Sequence, residues 1–386
     1  MIASVWILRL AGAAAALHLV AAVALASPSL QALPAAALAP APGTDFGPPR
    51  ERCASVPRRD CLIDVAALIA SRIADPGSRG YSLAACAAAA TGGDAERHLR
   101  AAAEAERLLG DGADGHVARA SLRARLGDFA AARSSASSVV DPARRALAFV
   151  AVGAAALEAS AREEGEQALR EAFASALSIP DPLQRAIGLA ALAEPSIRLG
   201  DQGLAREVVR LSGLATGEIG DRWMRALASA RLAEARAVAG DAAGAISLAL
   251  EVSDAAARER GLSRVAGALA TFTPGEARRA ADALVEPLAR ADAFAALAAA
   301  EATRSREAAA SLLQEARSLV SRVSGVDRYD FALVLQRVAI AEISLGEHAT
   351  AAGTLAIALG AIATIPEEHW RAQALGEIVT AIVALP

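Results

Sequence analysis

The sequence predicts an all-α protein, a solenoid of about eight or nine stacked helical hairpins. Three observations predict it. The chain is 54% hydrophobic but only 3% aromatic, and much of the apolar content is Ala. Ala is the strongest helix former and buries little area, so such a core needs many closely packed helices. Gly followed by an acid recurs at Gly127-Asp128, Gly200-Asp201, Gly240-Asp241 and Gly346-Glu347. A second acidic marker repeats every 40 residues from Asp141 to Asp181 to Asp221, and again from Asp327 to Glu367. Periods of this size mark helical repeats.

The N-terminus reads as an export signal. Arg9 flanks the uncharged run Leu10–Ala26, and Ala24-Leu25-Ala26 matches a small-x-small cleavage pattern. Residues 1–26 are then a signal peptide and the protein is periplasmic or secreted. The apolar stretch Ile2–Leu8 keeps a second reading open, an inner-membrane anchor formed by residues 2–26. Residues 27–52 carry Pro28, Pro34, Pro40, Pro42, Pro48 and Pro49, which favours an extended spacer. Residues 53–386 form the repeat domain.

Cys53 and Cys61 flank the first helix and could form a disulfide after export. Closing so small a loop stabilises by roughly 2–3 kcal/mol in the chain-entropy picture. Cys86, within an Ala-rich helix, reads as a small buried hydrophobe.

Each marker has a physical role. Gly just past a helix end takes the left-handed conformation freely, and the following Asp caps the next helix by accepting from its unpaired N–H groups. Asp128, Asp201 and Asp241 are predicted caps of this kind. The second marker is an acid, often with Pro after it and Arg four residues on: Asp75 and Arg79, Asp141 and Arg145, Asp181 and Arg185, Asp221 and Arg225, Glu286 and Arg290, Glu367 and Arg371. Pro suits the first helical position, and the Arg is expected to reach back one turn to the acid as a local ion pair. Asp141, Asp181 and Asp221 are therefore structural caps, not ligands. Asp327 starts a similar helix with Phe331 in place of Arg. Between the markers run longer helices, Asp181 to Leu199 and Asp221 to Ala239 among them. The stretch from Asp221 to Glu286 holds two shorter units.

The shorter helices carry a small residue four after their cap: Ala132, Ala205, Ala245 and Ala351. A recurrent Ala marks a close backbone crossing that a larger side chain would overpack. The last helix, Glu367 to Leu385, carries Ile378, Val379, Ile382, Val383 and Leu385. That stripe fits packing on the preceding helix or a homo-oligomer contact.

These residues resemble tetratricopeptide repeats. Leu126-Gly127-Asp128-Phe129, then Ala132, then Asp141-Pro142 is similar to that family's helix end, crossing Ala and closing turn. The family's small residue in the first helix falls on Ala120, Ala193, Ala233 and Ala339. Units near 40 residues and few aromatics depart from its 34-residue pattern, so HEAT-like stacking is the alternative. The resemblance implies a binding groove for a protein or peptide partner, with no catalytic, cofactor or metal residue.

Composition excludes several chemistries. All 39 basic residues are Arg, so Schiff-base and P-loop lysine chemistry is impossible. A net charge of −4 with Arg interleaved among acids argues against nucleic acid. Gly110-Asp111-Gly112-Ala113-Asp114-Gly115 matches a dinucleotide fingerprint in letters, but it follows a helical stretch where a strand is required. The acid pairs Glu163-Glu164 and Glu367-Glu368 sit at helix starts, where the dipole favours them. The expected role is a non-catalytic interaction scaffold. The alternative is an enzyme acting on envelope polysaccharide with paired carboxylates in a helical toroid.

Overall fold

The computed structural model describes residues 58–90, 92–323 and 327–386. The expected signal, the spacer and Cys53 lie outside them. Every regular element among the described residues is an α-helix. An opening helix, Arg59–Ser71, precedes the hairpins Pro76–Ala89 with Gly92–Arg107, Ala113–Arg125 with Phe129–Ser137, and Pro142–Glu158 with Arg162–Leu177. Next come Pro182–Ala190 and Ala193–Leu199 with Gln202–Glu218, Arg222–Val238 with Ala242–Glu251, and Ala255–Leu269 with Pro274–Asp282. The helices Pro287–Glu301 and Arg306–Val320 and the hairpin of Arg328–Ser344 with His348–Ile362 follow, and Glu368–Val383 is the last helix. Helices pack on their neighbours in sequence, as in an all-α solenoid.

The caps are side chain to backbone. Asp128 accepts from Ala131 N at 3.1 Å, Asp141 from Ala143 N at 2.8 Å, and Asp181 from Gln184 N at 2.8 Å. Asp201 accepts from Leu204 N and Asp221 from Met224 N, both at 2.8 Å, and Asp241 from Gly244 N at 3.0 Å. Asp254 is a further cap, accepting from Ala257 N at 2.8 Å. It divides the compressed stretch into units of 33 and 32 residues (221 to 254, 254 to 286). Glu347 and Glu367 stand at cap positions without a side-chain cap bond.

Five of the recurrent Arg bond a backbone carbonyl and not their cap. Arg79, Arg145 and Arg185 donate through Nη1 to the carbonyls of Ile73, Val139 and Ile179, at 3.0, 3.2 and 2.9 Å. Arg225 and Arg371 donate through Nε to Ile219 and Ile365, at 2.7 and 3.0 Å. Each acceptor lies six residues before its Arg, at the turn from the preceding segment. The expected local ion pair is thus corrected. The acid already serves the helix amides, and the guanidinium satisfies a turn carbonyl that no helix bond reaches. The aliphatic residue offering that carbonyl is buried every time: Ile73, Val139, Ile179, Ile219 and Ile365 are at most 3% exposed.

The hairpin crossings are set by small residues 12 positions apart. Ala120 and Ala132, Ala193 and Ala205, Ala233 and Ala245, and Ala339 and Ala351 are all buried. In the hairpin of Pro142–Glu158 and Arg162–Leu177 the same register holds Gly153 and Gly165. A Cβ on Gly153 would lie 2.9 Å from Leu169 Cδ2, and one on Gly165 2.9 Å from Leu157 Cδ2. That hairpin also turns without glycine. Ser160 has φ 61°, where Gly127, Gly200, Gly240 and Gly346 hold the left-handed turn elsewhere.

By contacts the described chain forms two compact units, 110–293 and 58–109 with 294–386. The first has its core around Phe149, Leu169, Leu189 and Leu192. In the second, Glu368–Val383 packs on Arg328–Ser344 and His348–Ile362, and also on the opening segments Arg59–Ser71 and Pro76–Ala89. Ile378, Val379, Ile382 and Leu385 are buried there, at most 4% exposed. Of the stripe that the sequence marks out, Val383 alone stays exposed, at 41%.

Candidate interaction cleft

A departure from regular helix in residues 110–293 begins at a proline. Pro195 has no N–H, and its ring crowds the carbonyl of Ala191. The long helix expected from Asp181 to Leu199 accordingly breaks into Pro182–Ala190 and Ala193–Leu199. At the break Leu192 N donates to Leu189 O at 3.1 Å, a tightened three-residue bond.

The break opens a cleft of about 40 Å³ against the next long helix. Ile187, Ala190, Ala191, Ala193 and Glu194 line one side, and Arg231, Glu234, Ala235 and Val238 the other. Glu234 Oε2 accepts from Arg231 Nη1 at 3.2 Å and from Arg264 Nη1 at 3.1 Å. Both guanidiniums are largely buried, with side chains 10% and 14% exposed. The cleft wall is therefore tied to Ala255–Leu269 by a carboxylate shared between two arginines, while Glu194 stands exposed at the rim.

Size decides what the cleft can do. About 40 Å³ holds a few waters, each needing roughly 10–15 Å³. Small-molecule sites run to about 300–1,000 Å³. A volume of about 40 Å³ matches a short side chain more closely than a sugar ring.

Of these residues only Ala193 stood out in the sequence, as a small crossing residue, although two further signals were present. Pro195 interrupts a helical pattern, and Glu194 and Glu234 each stand 13 residues after their caps, Asp181 and Asp221. The acid pairs that did stand out are used elsewhere. Glu164 bonds Arg133 at 3.0 Å, and Glu368 accepts the amides of Ala74 and Asp75. Residues 110–112 follow the helix Gly92–Arg107 and 113–115 open the helix Ala113–Arg125, so no strand precedes the Gly-rich turn. Cys61 is disulfide-bonded, and Cys86 is buried; Cys53 lies outside the described residues. Among the described residues no three His, Cys, Asp or Glu side chains gather as metal ligands, and no helix is long and apolar enough to cross a membrane.

Among the described residues, Trp223 and Trp370 differ in setting. Trp370 stacks on Tyr329 with ring centroids 5.0 Å apart. Trp223, two residues after its cap as Tyr329 is after Asp327, is 39% exposed.

The fold defines a class, an all-α stack of helical hairpins. No protein-family model matches the chain, and no curated protein matches it. Among solved structures it is similar to the crystal structure of Ton1535 from Thermococcus onnurineus NA1. The two are 14% identical, the match covers 74% of this chain and 96% of that one, and the TM-score is 0.38.

Proposed function

We propose that this chain is an exported, non-catalytic scaffold of tetratricopeptide-like hairpins that holds a segment of a protein or peptide partner. The observation that carries the reading is the cleft at the Pro195 break. Its walls set apolar residues beside the charged Glu234 and Arg231, an exposed acid, Glu194, stands at the rim, and its small volume suits one side chain better than a substrate. The 12-residue spacing of small residues in five hairpins supports the tetratricopeptide likeness. The segment from Arg9 to Ala26 supports export, and N-terminal sequencing of the exported protein separates a cleaved signal from an anchor.

The alternative, a polysaccharide-acting enzyme, has one point in its favour: Glu194 and Glu234 line the same cleft. Against it stand the cleft's volume and the commitment of Glu234 to two arginines. A photo-crosslinking residue at Ile187, in purified protein mixed with envelope extract, tests the two. Discrete peptide adducts, lost in Glu194→Arg, support the scaffold. Retention of glycan fragments alone, abolished by Glu194→Gln, overturns it in favour of the enzyme.

A further inference from the structure

Solenoid hairpins lean on the hairpin before them. Inside the array that support is visible at one turn. Glu259, on Ala255–Leu269, accepts the amides of Val285 and Glu286 through Oε2, both at 3.0 Å. Those are the two residues that introduce the next long helix, Pro287–Glu301. The same pair of amides introduces Pro76–Ala89, namely Ala74 and Asp75. They donate to Glu368 Oε1 at 2.9 Å and Oε2 at 2.8 Å, across 294 and 293 residues of sequence. Glu368 belongs to the last helix. Apolar packing accompanies the polar contact: Ile73, Leu83, Leu375, Ile378 and Ile382 are at most 1% exposed.

We propose that residues 59–89 and 368–383 form an intramolecular clasp, in which the last helix supports the turn into Pro76–Ala89 as Ala255–Leu269 supports the turn into Pro287–Glu301. Each end covers the other's apolar edge, so neither needs the polar cap that an open array requires. The two ends then open and close together, and opening exposes two complementary apolar edges at once. The inference stands independently of the scaffold reading.

Hydrogen exchange of the full-length protein, followed by mass spectrometry, tests it. Glu368→Ala removes the acceptor. Ala74→Pro removes one donor, and proline already occupies the corresponding place at Pro180 and Pro366. Each variant is expected to raise exchange about tenfold in both 59–89 and 368–383, with peptides of 142–238 unchanged. The double variant is expected to add little to either single one. A rise confined to the few amides around Asp75 would reduce Glu368 to a local cap and overturn the clasp. So would no rise in either variant, or a rise at one chain end alone.

Discussion

Arg185 Nη1 holds the carbonyl of Ile179, six residues back across the Pro180-Asp181 turn, at 2.9 Å. The acid between them, Asp181, is occupied with Gln184 N. One turn thus contains two independent devices, a cap and a carbonyl latch, and they recur together through the array.

That independence is measurable. Asp181→Ala should destabilise by about 1 kcal/mol, the ordinary loss of a cap. Arg185→Ala should destabilise by about 1–2 kcal/mol, because a charged donor leaves a carbonyl unmade. In urea unfolding the double variant should equal the sum within roughly 0.5 kcal/mol. Coupling above about 1 kcal/mol would restore the ion pair that the spacing suggested.

Gly153→Ala should destabilise although Ala is the better helix former. Propensity favours Ala by up to about 1 kcal/mol. The new Cβ meets Leu169 at 2.9 Å inside a buried crossing, and overpacking costs roughly 1–3 kcal/mol. A lower unfolding midpoint is expected; a higher one would mean the crossing has slack.

Ser160→Gly should stabilise by about 1 kcal/mol. Ser160 is held at φ 61° where four other turns use glycine. The converse change at an equivalent turn, Gly200→Ala, should destabilise by a similar amount, since its φ is 87°. Thermal unfolding of both variants checks the pair.

Glu342 is 1% exposed and accepts from Arg317 Nε and Nη2 at 3.0 and 2.8 Å. Burial disfavours the Arg317 charge, but the bonds to Glu347 and Glu342 outweigh it and raise its pKa above the ordinary value. Arg317→Met leaves the Glu342 carboxylate buried without its partner and should destabilise by about 3 kcal/mol. Replacing both, Arg317→Met with Glu342→Leu, should recover much of that loss in the same denaturation experiment.

His369 makes stability depend on pH. Burial lowers its pKa below the ordinary 6.5, against the opposing pull of the Glu367 and Asp75 carboxylates. The unfolded chain therefore takes up the proton first. The contribution is complete above the unfolded value and is lost as pH falls through the lower folded one. The melting temperature should fall between about pH 7 and pH 5, and His369→Phe should flatten that part of the curve. An unchanged slope in the variant would assign the effect to other groups.

The legible features were the local ones. The Asp128, Asp141 and Asp181 caps could be read because donor and acceptor lie two or three residues apart, and helix geometry leaves them few other partners. The crossing residues could be read because hairpins repeat one register. Asp254 escaped notice because its units are shorter than 40 residues. The helix break escaped because Pro195 sits within an otherwise continuous apolar pattern.

By itself the sequence determined that the chain is a stack of α-hairpins and that Asp128, Asp141, Asp181, Asp201, Asp221 and Asp241 cap its helices, since these follow from backbone bonds spanning a single turn. Tertiary structure alone decided that Arg185 serves Ile179 and not Asp181, that Glu194 and Glu234 face one cleft, and that Glu368 reaches Ala74. Those choices depend on which groups packing brings within about 3 Å, and linear spacing does not carry that distance once several partners are in reach.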